Sequence, residues 1–138
     1  MNQKLNHDAL LLQQQLSGAR GWEQRYRELL LLAKHANTPA TIRTDLNQVS
    51  GCQAQVWLTV ELKDHKLCIN TDSDARLVKA LLLVLTAPLQ QQPVAYLQQF
   101  NFHHWLQQCA LAEHLSESRI NGLHQVVQAL QLKSAHLL

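Results

Sequence analysis

Apolar positions recur at helical spacing over most of the chain, with one interruption where the period drops to two. Residues 7–16, HDALLLQQQL, set Ala9, Leu12 and Leu16 on one side, and Asn6 precedes them as a candidate cap. Gly18 and Gly21 break that pattern. Residues 22–34, WEQRYRELLLLAK, then repeat Trp22, Tyr26, Leu29, Leu30 and Ala33 at helical intervals, which predicts an amphipathic helix. Glu23 stands four residues before Arg27, a pairing that adds modest surface support. The polar mix around Pro39 predicts a loop, and residues 41–46 a turn of helix.

The period changes in residues 54–62, AQVWLTVEL. Ala54, Val56, Leu58, Val60 and Leu62 alternate with Gln55, Trp57, Thr59 and Glu61, the signature of a half-buried strand. Lys63-Asp64-His65 reads as a turn and residues 66–71, KLCINT, as the returning strand, with 47–50 as a candidate third member. Asp72 or Ser73 then caps a helix over 74–87. Leu77, Val78, Leu81, Leu82 and Leu85 give it one apolar side, which Ala80, Leu83 and Val84 widen, so it is predicted to lie buried against the sheet. Pro88 ends it, and Pro93 opens a short helix near 93–99. Residues 102–109 make another short helix with Asn101 as cap. Ser116 caps a last helix over 117–133, with Ile120, Leu123, Val127 and Leu130 facing inward. Helices, a small antiparallel three-stranded sheet and more helices specify the α+β class, with one sheet face covered.

The chain has 138 residues, 46% of them hydrophobic, which suits one domain spanning residues 1–138. Twelve Lys and Arg against ten Asp and Glu leave a charge of +2. The basic residues are scattered, so there is no stripe to follow a nucleic-acid backbone and no polybasic patch for an anionic membrane. The N-terminus lacks a secretory apolar core. The longest apolar stretch, around Val78–Leu85, is far too short to span a bilayer. These features predict a soluble, cytoplasmic protein. The three cysteines, Cys52, Cys68 and Cys109, are odd in number and form no CxxC pair, which argues against a disulfide scaffold or zinc knuckle. Eight histidines are present, but without HExxH or a Cys/His constellation, so no metal and no cofactor are expected. Phosphate-loop, calcium-loop and GxSxG motifs are missing as well.

One segment reads as chemistry. GCQAQVW, residues 51–57, puts Cys52 after a glycine at the start of a strand. A bare cysteine there is often only a small buried hydrophobe. Here it is accompanied by Asp72-Ser73-Asp74-Ala75 opening a long apolar helix and by LSESRINGL, residues 115–123, opening the last one. Trp22-Glu23 with Tyr26, and Phe100 followed by Trp105, complete the set. In order and spacing, from Trp22 to Lys133, this resembles the SufE family, whose CsdE relatives share the same plan. The resemblance implies an IscU-like fold. It also implies that Cys52 accepts persulfide sulfur from a pyridoxal-phosphate cysteine desulfurase of SufS or CsdA type. The acceptor stimulates that enzyme and passes the sulfur to an iron–sulfur scaffold or another acceptor; it is a transfer partner rather than an independent enzyme. The alternative is a metal or iron–sulfur scaffold of IscU type, for which one well-placed cysteine is too few.

Gly51 lets the backbone bend so that Cys52 rides on a loop tip, and an apolar strand beside it predicts a shallow resting pocket from which the thiol swings outward. Gln53 and Gln55 flank it as loop supports. Asp74 is read into the first turn of the central helix, either as simple helix-end support or as a neighbour of the Cys52 loop. Arg119 falls in the first turn of the last helix, where the dipole disfavours a cation. It therefore either answers a desulfurase surface, or is a solvated side chain or the partner of an internal carboxylate. Cys68 and Cys109 are expected to be packing residues. Ala80 stands where the family usually has glycine, which bears on packing near the Cys52 loop.

Overall fold

The period-two segment forms a hairpin around which the helices gather. In the computed structural model, which describes residues 5–137, β1 (Val56–Lys63) and β2 (Lys66–Ser73) pair antiparallel, from Val56 opposite Ser73 to Lys63 opposite Lys66. Asp64 and His65 take φ of 53° and 64°, the two-residue turn whose twist suits the flanking strands.

The sheet has two strands among the described residues, not the three that the sequence suggests. Where a strand at 47–50 is expected, Gln48 makes a single bridge to Trp57 and the Val49 N–H donates to the Val56 carbonyl at 2.9 Å. The chain before it runs in short 3-10 turns, Ala40–Ile42 and Asp45–Asn47. The outer edge of β2 is closed by the glutamine run at 90–92. The Gln90 side chain accepts from the Ile69 N–H at 2.9 Å and donates to the Ile69 carbonyl at 2.7 Å. The Gln92 carbonyl and Gln91 N–H do the same for Leu67, both at 2.8 Å. A side-chain amide and a turn thus satisfy the edge groups that a further strand would have paired.

Six α-helices surround the hairpin among the described residues: α1 (His7–Ser17), α2 (Gly21–His35), α3 (Arg76–Thr86), α4 (Val94–Gln99), α5 (Phe102–Gln108) and α6 (Glu117–Ala135). Three side chains cap as their sequence positions imply. Asn6 accepts from Ala9 at 2.8 Å, Asn101 from His104 at 3.0 Å and Ser116 from Arg119 at 3.1 Å. Asn6 also donates to the Ala87 carbonyl at 2.8 Å, tying α1 to the end of α3. Helix α3 lies against β2 and α2, and α6 against β1. Leu58, Leu67, Leu81, Leu82 and Leu85 are completely or almost completely buried between them.

Four local readings are corrected by packing. Helix α3 starts at Arg76, two residues later than expected, because Asp72 and Ser73 are held in the strand ladder opposite Trp57 and Val56. Trp57, on the face predicted polar, is buried, since Arg43 stacks 4.9 Å above its ring from the segment that replaces the third strand. The hairpin base is therefore covered on both faces. On α2 the buried stripe includes Arg25, whose guanidinium donates to the Leu16 carbonyl at 2.8 Å and the Ala19 carbonyl at 3.2 Å. A cation closing the C-terminal end of α1 is the favourable polarity. On α6 the buried residues are Leu123, Val126, Leu130 and Ser134, with Ile120 and Val127 half-buried toward Phe102 and Leu106.

Asp72 anchors the base of the hairpin. Its carboxylate accepts from Arg43 Nε at 2.7 Å and from the Ser73 N–H at 2.9 Å, with Lys79 Nζ at 3.7 Å. Burial alone would raise its pKa. The hydrogen bonds from Arg43 and Ser73 and the charges of Arg43 and Lys79 outweigh this and hold it below the usual aspartate value. A folded pKa below the unfolded one adds stability that is fully present above about pH 4 and lost as pH falls through the folded value. Chemical denaturation of wild type against Asp72→Asn should therefore show the variant less stable at pH 7. The two should converge as the pH drops below about 4.

No helix of the described residues is long and apolar enough to cross a membrane.

Candidate functional site

Cys52 sits between the hairpin and α6, in the turn that leads into β1. Gly51 before it has a φ of +87°, and a Cβ there would stand 3.2 Å from the Gln125 side chain of α6. Both the backbone and the close approach call for glycine. After it, the loop is tied down by groups at the end of β2. The Gln55 N–H donates to Asp74 Oδ1 at 3.0 Å, and the Ser73 hydroxyl donates to the Gln55 carbonyl at 2.7 Å. Asp74 is thus not in the first turn of α3, as the sequence suggests, but ahead of it. There its carboxylate clamps the loop three residues beyond the cysteine.

The Cys52 thiol is half-buried and donates a weak hydrogen bond to the Gly122 carbonyl of α6, with sulfur and oxygen 3.6 Å apart. It lines a small pocket whose other walls include Ala54, Val56, Val78, Leu82, Leu123 and Val126. The pocket holds about 30 Å³, room for one or two water-sized groups. Gln53, Ser118 and Arg119 form its polar lip. On its other side Cys52 also borders an open, more polar groove of about 380 Å³, walled by Asp45 and residues 48–55. The sulfur therefore lies at a boundary between an apolar recess and solvent.

Burial pushes the Cys52 thiol above its ordinary value. The resting side chain is protonated at neutral pH and is a poor nucleophile, because the thiolate is the reactive form. Alkylation of Cys52 by iodoacetamide should consequently rise with pH later than that of a free thiol in the same buffer. A profile matching the free thiol would mean that the sulfur spends its time outside the recess.

The other predicted residues fall out as follows. Arg119 is the third residue of α6, half-buried, and shares the pocket with Cys52. No carboxylate lies within ion-pairing distance of it among the described residues, so an internal partner does not explain it. Gln53 is exposed and lies between the pocket and the groove. Ala80 is fully buried but does not line the pocket, to which α3 contributes Val78 and Leu82. Cys109 is fully buried, its pKa pushed up to about 12 by burial. Cys68 is not in the core. It is half-buried on the face of β2 opposite to Leu67 and Ile69, across from Glu61. Ser73, Ser118 and Gly122 lie in segments that the sequence singles out, but their individual roles rest on contacts between remote elements. Among the described residues, no three His, Cys, Asp or Glu side chains converge as metal ligands.

Comparison with known proteins adds two findings. A family model, SufE, described as an Fe-S metabolism associated domain, matches residues 11–134. The solution structure of a hypothetical protein from Thermus thermophilus superposes with a TM-score of 0.77 at 18% identity, covering 97% of this chain and 98% of that one. The second is a likeness of fold.

Proposed function

The chain belongs to the SufE family, an Fe-S metabolism associated domain, and on that premise we propose that it is a sulfur acceptor working through Cys52. The donor is a pyridoxal-phosphate cysteine desulfurase of SufS or CsdA type, acting in the cytoplasm. The recipient is an iron–sulfur scaffold or another sulfur acceptor. The observation that carries this reading is the position of Cys52, which borders both an apolar recess and an open groove.

The chemistry balances without an added oxidant. The Cys52 thiolate attacks the outer sulfur of the donor's cysteine persulfide. A sulfur–sulfur bond forms at Cys52 as the donor's sulfur–sulfur bond breaks, and the donor cysteine leaves as its thiolate. The sulfane sulfur changes owner and keeps its oxidation level. At rest, burial holds the thiol protonated. Turning it out into the groove breaks one weak hydrogen bond, to Gly122, gives up its partial apolar burial and exposes it to water, where the thiolate forms more readily. Gly51 supplies the pivot, while the Asp74 and Ser73 bonds to Gln55 keep the far end of the loop fixed. Turned back, the persulfide finds space for one added atom among apolar side chains, away from competing thiols. Arg119 and Gln53, at the lip, are placed to meet the partner and to favour an anionic sulfur beside them.

A scaffold role is not supported, since no ligand set gathers around any of the three cysteines among the described residues. The test is transfer of labelled sulfur from cysteine through a desulfurase to wild type and to a Cys68→Ser, Cys109→Ala double variant. Both should carry the label to the same extent and stimulate the desulfurase alike. A double variant that no longer takes up sulfur, while still folded, would move the acceptor away from Cys52.

A further inference from the structure

A second concave feature lies on the far side of the Cys52 loop, between the end of α2 and the start of α3. It is an open cleft of about 360 Å³ lined by Ala33, Lys34, Ser73, Asp74, Arg76 and Lys79. Three of the six are cations, on a chain whose net charge is only +2. Their negative neighbours are already engaged. Asp72 is bound to Arg43 at 2.7 Å and holds Lys79 at 3.7 Å. Asp74 accepts from the Gln55 N–H. Lys34 and Arg76 have no ion-pair partner among the described residues. The first turn of α3 carries no acidic residue, and the helix dipole makes the Arg76 cation unwelcome there. Folding thus sets the unpaired Lys34 and Arg76 in one concavity, where Lys79 is paired with Asp72 and the Asp74 carboxylate is turned to the Gln55 N–H. Lys34 suits the C-terminal end of α2, but Arg76 gains nothing from its helix, and an anionic partner would pair with both.

We infer that this cleft receives an acidic segment, carrying Asp or Glu side chains, of the sulfur-donating protein, with Lys34 and Arg76 as its contacts. The inference rests on the proposed sulfur-acceptor role. Continuity favours a protein partner over a free anion or a nucleic acid. Ser73 and Asp74, which wall the cleft, are the same residues that bind Gln55 of the Cys52 loop. A partner covering Cys52 therefore reaches the cleft without leaving the surface. The remaining basic residues are scattered along the sequence, without a run to follow a phosphate backbone. Contacts of this kind, at the rim of an interface, set association rate and its salt dependence more than the chemistry at the centre.

The test is a Lys34→Glu, Arg76→Glu variant titrated against a cysteine desulfurase. Direct binding and labelled sulfur uptake are read at low and high salt. Both residues are exposed, and an unchanged thermal melt confirms the fold. The concentration for half-maximal binding should rise about tenfold or more at low salt, and the gap should narrow at high salt. Uptake at saturating concentration should stay as in wild type. Unchanged half-saturation overturns the inference, and so does a loss confined to saturated uptake. Saturable binding of inorganic phosphate at these residues, with desulfurase affinity unaltered, would assign the cleft to a small anion and also overturn it. A wild type that binds the desulfurase but takes no label would sink the sulfur-acceptor role alone, because the cleft is judged on the binding curve.

Discussion

A Cys52→Ser variant is expected to take up no sulfur at all when mixed with a cysteine desulfurase and labelled cysteine. Serine has nearly the same shape, and the site asks little of the thiol structurally. The side chain is half-buried and its one hydrogen bond, to the Gly122 carbonyl, is weak. Stability should therefore change by less than about 1 kcal/mol. The chemistry has no such tolerance. A hydroxyl is not appreciably ionised at neutral pH, and it cannot form the sulfur–sulfur bond that carries the cargo. Loss of a covalent nucleophile typically costs at least about a thousandfold in rate, so label should fall to background. Label on the serine variant equal to wild type would remove Cys52 from the reaction.

Trp105→Ala is expected to cost the most stability of any single change. The indole is almost fully buried, and its Nε1 donates to the Val84 carbonyl at 2.9 Å. That carbonyl lies four residues before Pro88, which has no N–H to complete the helical bond. Trp105 thus supplies the donor that the proline withholds at the end of α3. Truncation to alanine removes the ring, opens a cavity and strands a buried carbonyl. Losses of this kind run to about 3–5 kcal/mol. Trp105→Phe separates the two contributions, since it keeps most of the volume and loses only the hydrogen bond, for about 1–3 kcal/mol. Denaturant titration of the three proteins should rank them wild type, phenylalanine, alanine. Because α3 lends Val78 and Leu82 to the Cys52 pocket, the alanine variant should also raise the alkylation rate of Cys52.

Much of this architecture is legible from pattern alone. The hairpin register follows the alternation from Val56 to Leu62, and three helix starts follow Asn6, Asn101 and Ser116, because such signals are local. What the sequence hides depends on distant partners. The third strand is overcounted because residues 47–50 keep only the single bridge from Gln48 to Trp57 after a run of 3-10 turns. Nothing within a few residues of Gln90 indicates that its amide will close the other edge against Ile69. The apolar pattern of residues 22–34 leaves Arg25 out, and it is buried only because the short turn through Gly18 brings the open end of α1 within its reach. Trp57 lies on the alternation's polar side and is buried only because Arg43 folds over it. Asp72 and Ser73 look like helix caps, since the ladder that claims them is formed with β1. The site shows the same division. Gly51-Cys52 announces itself by residue type. The lip formed by Ser118 and Arg119, and the Asp74 clamp on Gln55, arise only when β2, α6 and the loop converge.

Peptide mass mapping under non-reducing conditions tests the central claim most directly. The protein is incubated with a cysteine desulfurase and cysteine, alkylated and digested. The predicted result is one added sulfur atom on the peptide that contains Cys52, and none on those containing Cys68 or Cys109. An added sulfur on either of the other two, or a Cys52 peptide unmodified while the desulfurase holds its persulfide, would contradict it.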